Sequence, residues 1–305
     1  MSAENQRRLA RAASSLEGLS VGDAFGERYF GRREVVEQHI RERILPDPPW
    51  EWTDDTAMAL SIYEVLAACG EIDQDRLAES FAAHHEHGRG YGSGTARLLL
   101  NIAAGQNWRI AAADQFGGSG SFGNGAAMRV APVGAYFASD MKRVVEQAVR
   151  SAEITHSHPE GIAGAIAIAV GAAIAWRARR RKRRPGRKAF LSMVVRHIPD
   201  SEVRRGIERA RDLPPRTPVA EAVRVLGNGS RVSAQDTVPF ALWCAGMRLG
   251  NYEEALWLTV SGLGDRDTTC AMVGGIVAGY TGADRIPVAW LAYREPLPEW
   301  PFRHE

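Results

Sequence analysis

The sequence predicts an all-α protein, a single compact multi-helix domain that covers residues 1–305. Apolar residues recur at the three- to four-residue interval of amphipathic helices along most of the chain, and convincing strand-like alternation is absent. Glycine follows several of these periodic segments, at the position where helices commonly end. The sequence also lacks an internal repeat and a linker long enough to divide it, so one domain is the economical prediction.

The individual helices are predicted from the apolar period and from the residues that flank it. Five helix ends are marked by Gly70, Gly88, Gly105, Gly227 and Gly250. The predicted helices, in chain order, are 7–25, 55–69, 73–87, 93–104, 125–138, 141–153, 159–179, 187–198, 200–212, 217–226, 235–249, 251–262 and 268–281.

The segment from Gly161 to Trp176 is uncharged and is followed by a basic cluster. It is shorter than the roughly 20 residues that a membrane-spanning helix needs, and it is rich in alanine and glycine rather than leucine. Small residues let neighbouring helices approach closely, so we predict a central helix buried on all sides and no membrane partner. Pro159 suits the first turn of this helix.

The composition is that of a soluble globular protein, with 45% hydrophobic and 24% charged residues. The formal net charge of +2 provides no overall field for binding nucleic acid. Cys69, Cys244 and Cys270 are odd in number and far apart, which argues against a disulfide framework and a cysteine zinc site. The N-terminal residues lack the apolar core of a signal peptide, so a cytoplasmic location is expected.

The stretch from Arg177 to Lys188, the basic run, contains nine lysine or arginine residues. It could form a patch for a polyanion or a nucleic acid. It could also be the solvated end of the central helix, where cations interact favourably with the helix dipole, followed by a Pro-Gly turn. The run is too local to decide the function, and a nucleic-acid partner is the less favoured alternative.

Two acidic clusters stand just ahead of apolar helical segments, TDDT at residues 53–56 and GDRDTT at residues 264–269. Aspartate and threonine are favoured helix caps, but two aspartates at each of two helix starts exceed what capping needs. Adjacent carboxylates repel one another unless a cation or protons intervene. Oxygen-only ligands favour a hard cation, Mg²⁺ or Mn²⁺, over zinc. We therefore predict that the two clusters share a metal site.

A glycine-rich loop, GGSGSFGNG at residues 117–125, precedes another predicted helix. Its glycines allow backbone N–H groups to turn toward a ligand, and a helix N-terminus favours an anion. No strand precedes the loop, so neither a Rossmann nor a Walker motif is present, and a plain flexible loop is the alternative. His156 lies just before the central helix, where a histidine is either a structural hydrogen-bonding group or a ligand-binding group.

Seven motifs follow one another along nearly the whole chain. They are GLSVGDAFG (18–26), WTDDTAMAL (52–60), GSGTARLLL (92–100), GNGAAMRVAPVGAYF (123–137), ITHSHPEGIAGAIA (154–167), DTVPFALWCA (236–245) and GDRDTTCAMVGGIVAGYTG (264–282). In this order they resemble the ADP-ribosyl-glycohydrolase family, which includes the enzymes that release dinitrogenase reductase from ADP-ribosylation. The resemblance implies hydrolysis of the bond between ADP-ribose and its carrier.

The resemblance also implies a set of site residues. A binuclear Mg²⁺ or Mn²⁺ site would comprise Thr53, Asp54, Asp55, Asp265, Asp267 and Thr268. The loop around the diphosphate and ribose would comprise Ser121, Phe122, Gly123 and Asn124. His156 matches a histidine near the bound ADP-ribose.

The chain departs from the family pattern at two places. Some members carry a glutamate four residues after the glycine of the GDAxG motif, where this chain has Phe30. Glu27 follows that glycine directly and is the candidate replacement for the missing acid. The second acidic motif has Leu263 where many relatives have glycine.

The predicted reaction is attack of water at the C1″ carbon of ribose, through a transition state that resembles an oxocarbenium ion. Two hard cations can orient the ribose hydroxyls and lower the pKa of a water molecule. Asp55 or Glu27 is the candidate base, and an ADP-ribosylated protein side chain is the expected substrate. The alternatives are a hydrolase of ADP-ribosylated nucleic acid or small ADP-ribosyl compounds, a non-catalytic ADP-ribose-binding relative, and a different all-α metal phosphohydrolase.

Overall fold

Helices account for nearly all the regular secondary structure of residues 2–303, the part of the chain that the computed structural model describes. The elements are α1 (Ala3–Glu27), α2 (Arg33–Glu42), α3 (Asp54–Cys69), α4 (Gln74–Ala83), α5 (Ser93–Ala103), α6 (Trp108–Ala113), α7 (Gly125–Met128), α8 (Ala131–Tyr136), α9 (Met141–Glu153), α10 (Pro159–Arg180), α11 (Arg187–Val195), α12 (Glu202–Asp212), α13 (Val219–Leu226), α14 (Ala234–Arg248), α15 (Tyr252–Val260), α16 (Arg266–Thr281), a 3₁₀ turn (Ala283–Arg285), α17 (Val288–Tyr293) and a second 3₁₀ turn (Trp300–Phe302). Between residues 2 and 303 the β pairings are two isolated bridges, Trp50 with Arg294 and Gly123 with Ser233. The prediction of an all-α fold is confirmed.

Three helices, α2, α6 and α17, are absent from the predicted set. Of the ten residues of α2, Val36 is buried and Ile40 packs partly buried against the core, so the apolar stripe is a single turn long, too short to reveal the helical period. Helices α6 and α17 contain six residues each, less than two turns, which is too short to display a period.

Pro132 divides the helix predicted over 125–138 into two short helices. In a continuous helix its ring would clash with the carbonyl of Met128, and it has no N–H to donate to that carbonyl. Helix α7 therefore ends at Met128, and α8 begins at Ala131 with the proline in its first turn. The helix predicted over 73–87 is also shorter, because α4 ends at Ala83.

Helices α1 and α16 pack antiparallel with their backbones in contact. Gly18, Gly22 and Gly26 lie four residues apart on one face of α1. A Cβ atom on Gly22 would overlap the carbonyl of Cys270, and Gly18 and Gly26 meet the α16 backbone one turn away on either side. The close approach places the C-terminal end of α1 beside the N-terminal end of α16.

Helix α10 is central and packs against α7, α8, α9, α14 and α16. By length and composition alone it could cross a membrane, but 83% of its apolar 18-residue window is buried within the protein. Helices of the same chain therefore cover it, as its alanine- and glycine-rich sequence predicts.

The buried apolar side chains form one connected cluster that extends from Leu9 in α1 to Trp290 in α17. Cys69, Cys244 and Cys270 are all free thiols, as expected for a chain without a disulfide framework. The organisation of the whole chain as a single domain stays a prediction.

Replacing Gly22 with alanine is expected to lower the free energy of unfolding by about 3 kcal/mol, the upper end of the usual cost of overpacking. The added methyl group would meet a backbone carbonyl, which cannot rotate away as a flexible side chain can. Gly186→Ala is the matched control, because a Cβ there meets nothing within 4 Å. Urea unfolding followed by circular dichroism measures both variants, and equal stabilities would contradict the close packing of α1 and α16.

Candidate active site

A cleft of about 570 Å³ lies where the starts of α3 and α16 meet the glycine-rich loop and the segment before α10. Its lining includes most of the predicted site residues: Asp54, Ser121, Phe122, Gly123, Asn124, His156, Asp265, Asp267 and Thr268. Thr53 and Asp55 are buried beside this lining. The Thr268 hydroxyl donates a hydrogen bond to the Asp55 carboxylate at 3.3 Å, although 213 residues separate the two in the chain. The fold thus brings both acidic clusters together.

Asp23 of α1 holds the start of α3 in place. Its buried carboxylate accepts hydrogen bonds from the N–H and the hydroxyl of Thr53, at 2.9 and 2.8 Å. It also accepts from the N–H and the hydroxyl of Thr56, at 3.1 and 2.5 Å. These bonds fix the first turn of α3 and so the positions of Asp54 and Asp55. Asp23 was not predicted, because nothing in the GDAFG motif indicates that its partners lie about 30 residues further along.

The aspartates at the two helix starts do not act as simple caps. Thr53 is the N-cap of α3 and accepts from the N–H of Asp55 at 3.4 Å. Asp265 occupies the N-cap position of α16, but its side chain makes no capping bond. Its carboxylate accepts instead from the side-chain amide of Asn124, at 2.7 Å. Helix capping therefore does not account for these aspartates.

The carboxyl groups of the two clusters lie close enough to disfavour one another's ionisation. Burial raises the pKa of Asp54 and of Asp55 well above the ordinary value, and repulsion from neighbouring carboxylates adds to the effect. Burial and the charge of Asp267 raise the pKa of Asp265 to about 8. Burial raises the pKa of Asp23 to about 7, despite the hydrogen bonds it accepts. Near neutral pH such a cluster retains protons or is balanced by cations.

Two carboxylate oxygens of the cluster, Oδ1 of Asp55 and Oδ1 of Asp267, are buried without a hydrogen-bond partner. Buried polar atoms normally have partners, so these two are candidates for an interaction with a cation. Within residues 2–303, no three His, Cys, Asp or Glu side chains already form a ready-made ligand set. The chemistry of the donors still fits Mg²⁺ or Mn²⁺, because all of them are carboxylate or hydroxyl oxygens. The six assigned ligands stay a prediction.

The backbone conformation at Leu263 accounts for the glycine that the family pattern has at this position. Its φ of 56° lies in the left-handed region, which glycine adopts without steric cost and leucine does not. The turn into α16 is therefore the one that a glycine favours, retained here at the expense of local strain.

One hydrogen bond within the glycine-rich loop and one from α14 fix the loop beside the cleft. The Ser121 hydroxyl accepts from the N–H of Gly123 at 3.2 Å, and the Phe122 carbonyl accepts from the N–H of Ala234 at 3.0 Å. The Phe122 ring is 43% exposed and packs edge-on against the ring of His158, with 5.5 Å between the ring centres. The loop therefore presents backbone and an aromatic surface to a ligand in the cleft.

His156 is buried beside this loop as a neutral imidazole. Burial and the charge of Arg129 lower the pKa of His156 to about 3. Its Nδ1 lies 2.7 Å from the hydroxyl of Thr155, which also accepts from the Arg129 guanidinium at 2.9 Å. The hydroxyl proton is then free to be donated to Nδ1, which leaves the imidazole proton on Nε2. Nε2 lies against Gly123 of the loop.

Arg129 is a second residue near the site that was not predicted. Its side chain is fully buried, donates to the carbonyl of Ser151 at 2.9 Å and lies over the ring of Phe81 at 4.5 Å. Burial lowers the pKa of Arg129 to about 9, and the charge of Asp54 opposes that change. A sequence signal existed, because a charge inside the apolar segment AAMRVAP is unusual.

Glu27 lies at the C-terminal end of α1, partly buried and outside the lining of the cleft. Burial, followed by the charges of Asp267 and Asp23, raises the pKa of Glu27 to about 7. Nearby, the guanidinium of Arg266 lies over the ring of Phe30 at 4.4 Å. Glu27 is therefore close enough to the acidic cluster to respond to its charge.

In metal-free protein, the free energy of unfolding is expected to fall as the pH rises from about 6.5 to about 8 and to level off above that. A carboxyl group with a raised folded-state pKa binds its proton more tightly when folded, so its stabilisation is lost progressively as the pH rises from its unfolded-state pKa to its folded-state pKa. The folded-state pKa values of about 7 for Asp23 and Glu27 and of about 8 for Asp265 set the upper end of this fall. The opposing effect of His156, whose pKa is lowered, is confined to pH values below about 6.5.

Thermal unfolding in chelator at several pH values measures this slope, and Asp265→Asn should reduce it. Mg²⁺ should raise the unfolding temperature more at the high end of the range, where the carboxyl groups have lost their protons. A stability that rises or stays constant across the range in chelator would contradict the prediction.

The chain is similar to known proteins over nearly its whole length. A family model described as ADP-ribosylglycohydrolase matches residues 4–301. The Homo sapiens protein ADP-ribosylhydrolase ARH3 is 29% identical over 332 residues, which cover 93% of this chain and 89% of the human protein. ADP-ribosylarginine hydrolase Tri1 of Serratia proteamaculans is 25% identical over 304 residues, which cover 93% of this chain and 75% of that protein. A solved structure of an ADP-ribosylglycohydrolase-related protein complex has a TM-score of 0.64 and 26% identity, with coverage of 95% of this chain and 94% of the other. The chain therefore belongs to the ADP-ribosylglycohydrolase family, and it is a glycosidic-bond hydrolase.

Proposed function

We propose that this enzyme is a hydrolase, dependent on two Mg²⁺ or Mn²⁺ ions, that releases ADP-ribose from an ADP-ribosylated amino-acid side chain. The observation that carries the proposal is the meeting of two acidic helix starts in one cleft, with two buried carboxylate oxygens left without partners. The names of the human and Serratia relatives, an ADP-ribosylhydrolase and an ADP-ribosylarginine hydrolase, support the same class of substrate.

In this proposal the cations are held by Thr53, Asp54, Asp55, Asp265, Asp267 and Thr268. When bound, divalent cations orient the ribose hydroxyls and lower the pKa of a water molecule. Asp23 does not need to contact them, because its oxygens are used to fix the first turn of α3. Asn124 holds Asp265 from the opposite side of the cluster.

ADP-ribose would bind along the glycine-rich loop. Backbone N–H groups and the Ser121 hydroxyl can donate to the diphosphate without bringing a charge, and the exposed ring of Phe122 offers a flat apolar surface. The Nε2–H of neutral His156 is a further donor beside Gly123. These groups would place the anomeric carbon of the ribose over the acidic cluster.

The base that takes the proton from water has two candidates. Asp55 has an oxygen without a partner inside the cluster. Glu27 has a pKa of about 7, which suits a general base that works near neutral pH. Position 30 carries Phe30, which cannot transfer protons, so Glu27 is the acid on this segment that could act as the base.

ADP-ribosylated nucleic acid and small ADP-ribosyl compounds are the runner-up substrates, favoured by the basic run. A non-catalytic role is disfavoured, because all six proposed ligands are present. Three free cysteines support a reducing, cytoplasmic location as part of the proposal.

The deciding experiment is release of free ADP-ribose from three defined substrates: ADP-ribosyl-arginine, an ADP-ribosyl-serine peptide and an ADP-ribosylated oligonucleotide. Chelated enzyme should be inactive, and Mg²⁺ or Mn²⁺ should restore turnover. Asp267→Asn should abolish turnover while the protein stays folded, because it removes the negative charge of a carboxylate that has an unpartnered oxygen. Asp284→Asn, an exposed aspartate of the same type, is the control and should behave as wild type.

Full turnover by protein shown to be free of metal would refute the metal dependence. Turnover of the oligonucleotide alone would favour the runner-up substrate.

Glu27→Gln is expected to lower kcat by roughly 10²-fold or more, the usual scale for loss of a general base. Binding of ADP-ribose, measured by calorimetry, should change little, since Glu27 does not line the cleft. Glu34→Gln, on exposed α2, is the control. Turnover near wild type in Glu27→Gln would leave Asp55 as the better candidate base.

A further inference from the structure

The basic run lies at the far end of α10 from the active-site cleft. Helix α10 has 22 residues, a length of about 33 Å at 1.5 Å per residue. Its first turn follows His156 and its last turn carries Arg177, Arg179 and Arg180. Whatever these arginines bind therefore lies outside the site described above.

Two adjoining depressions form an arginine groove at this end of the protein. One, of about 460 Å³, is lined by Met141, Ile174, Arg177, Ala178, Arg181, Arg183, Arg184, Pro185, Gly186, Ala189, Met193, Arg196 and His197. The other, of about 420 Å³, is lined by Ser139, Trp176, Arg177, Arg180 and Arg181. Arg177 and Arg181 line both depressions, so the two are direct neighbours.

The positive charge of the groove is largely uncompensated. Among the described residues, the ion pairs of the basic run are limited to Arg179 with Asp284, at 3.9 Å. Arg177 donates to the carbonyls of Ala138 and Ser139, which fix its position without neutralising it. The run holds nine cations in a chain of net charge +2, so the rest of the protein is net acidic. The positive field is therefore concentrated at this groove.

The shape and the chemistry of the groove fit a phosphodiester polymer. Guanidinium groups form paired hydrogen bonds with phosphate oxygens and stack on flat rings. Adjoining depressions lined by arginines suit successive phosphates, and the partly exposed side chains of Met193 and Trp176 add apolar surface beside the arginines for a base. A lipid surface fits less well, because no large exposed apolar side chain of the described chain belongs to the basic run.

We propose that the arginine groove binds single-stranded nucleic acid through its phosphodiester backbone, at a site separate from the active-site cleft. This binding goes beyond the proposed function and does not depend on it. Duplex nucleic acid, acidic protein and anionic lipid are the competing partners that the test must separate.

The test uses the full-length, metal-loaded enzyme and a fluorescein-labelled 20-nucleotide oligo(dT), with binding followed by anisotropy at several salt concentrations. Replacing Arg181, Arg183, Arg184 and Arg196 with glutamine should weaken binding at least tenfold. It should also reduce the slope of log Kd against log salt by about 3, since each phosphate contact on a single strand contributes about 0.7. Hydrolysis of ADP-ribosyl-arginine should be unchanged.

The matched control replaces four arginines that already pair with carboxylates, so the change in net charge is the same. These are Arg204, Arg205, Arg211 and Arg224. Binding by this variant should stay within about threefold of wild type, because carboxylates already neutralise the four arginines that it replaces. Circular dichroism and turnover show that both variants are folded.

Equal losses in the two variants would overturn the proposal, because net charge alone would then explain binding. Absence of binding to oligo(dT) by the wild type would also overturn it. So would tighter binding of a 20-base-pair duplex, of polyglutamate, or of vesicles containing phosphatidylserine than of oligo(dT).

Discussion

The contact between the backbones of α1 and α16 is the constraint on which the geometry of the active site depends. Gly26 meets the carbonyl of Arg266, so the end of α1 is held against the first turn of α16. Asp23 lies less than one turn earlier and reaches from there to Thr53 and Thr56 at the start of α3. A methyl group between α1 and α16 would separate the three helix ends. The close packing of two helix backbones in the interior thus determines where the carboxylates of the cleft lie.

The acidic cluster is held together against its own repulsion. The hydrogen bonds that Asp23 accepts and the one between Asn124 and Asp265 fix the carboxylates in a buried position where ionisation is disfavoured. Folded proteins are only marginally stable, so this arrangement has to be supported by packing elsewhere. The long buried contact of α1 with α16 provides that support. Because of this contact the carboxylates stay buried in the cleft, whereas at an isolated helix start they would be exposed to solvent.

The parts of the site that could be predicted from the sequence are those whose chemistry is local. The acidic clusters at 53–56 and 264–269 and the glycine-rich loop are recognisable within a few residues, and the structure brings them together. Asp23 and Arg129 were missed, because their roles depend on partners that only the tertiary fold supplies. Helix α2 was missed for a different reason, since its apolar stripe, Val36 and Ile40, is a single turn long.

The charged groups of the acidic cluster and of the arginine groove both stand at helix ends where the helix dipole favours their sign. The two groups differ in how their mutual repulsion is balanced. Helix dipoles favour aspartates at the starts of α3 and α16 and arginines at the end of α10. Such a dipole is worth about 0.3–1 kcal/mol per charge, which is less than one pKa unit. The rise in the pKa of Asp265 from 3.8 to about 8 is far larger, so the dipoles cannot balance the buried cluster.

The arginine groove is exposed to water and salt, which screen its repulsion. Near neutral pH the acidic cluster therefore depends on cations or retained protons, whereas the arginine groove is stable without a bound polyanion.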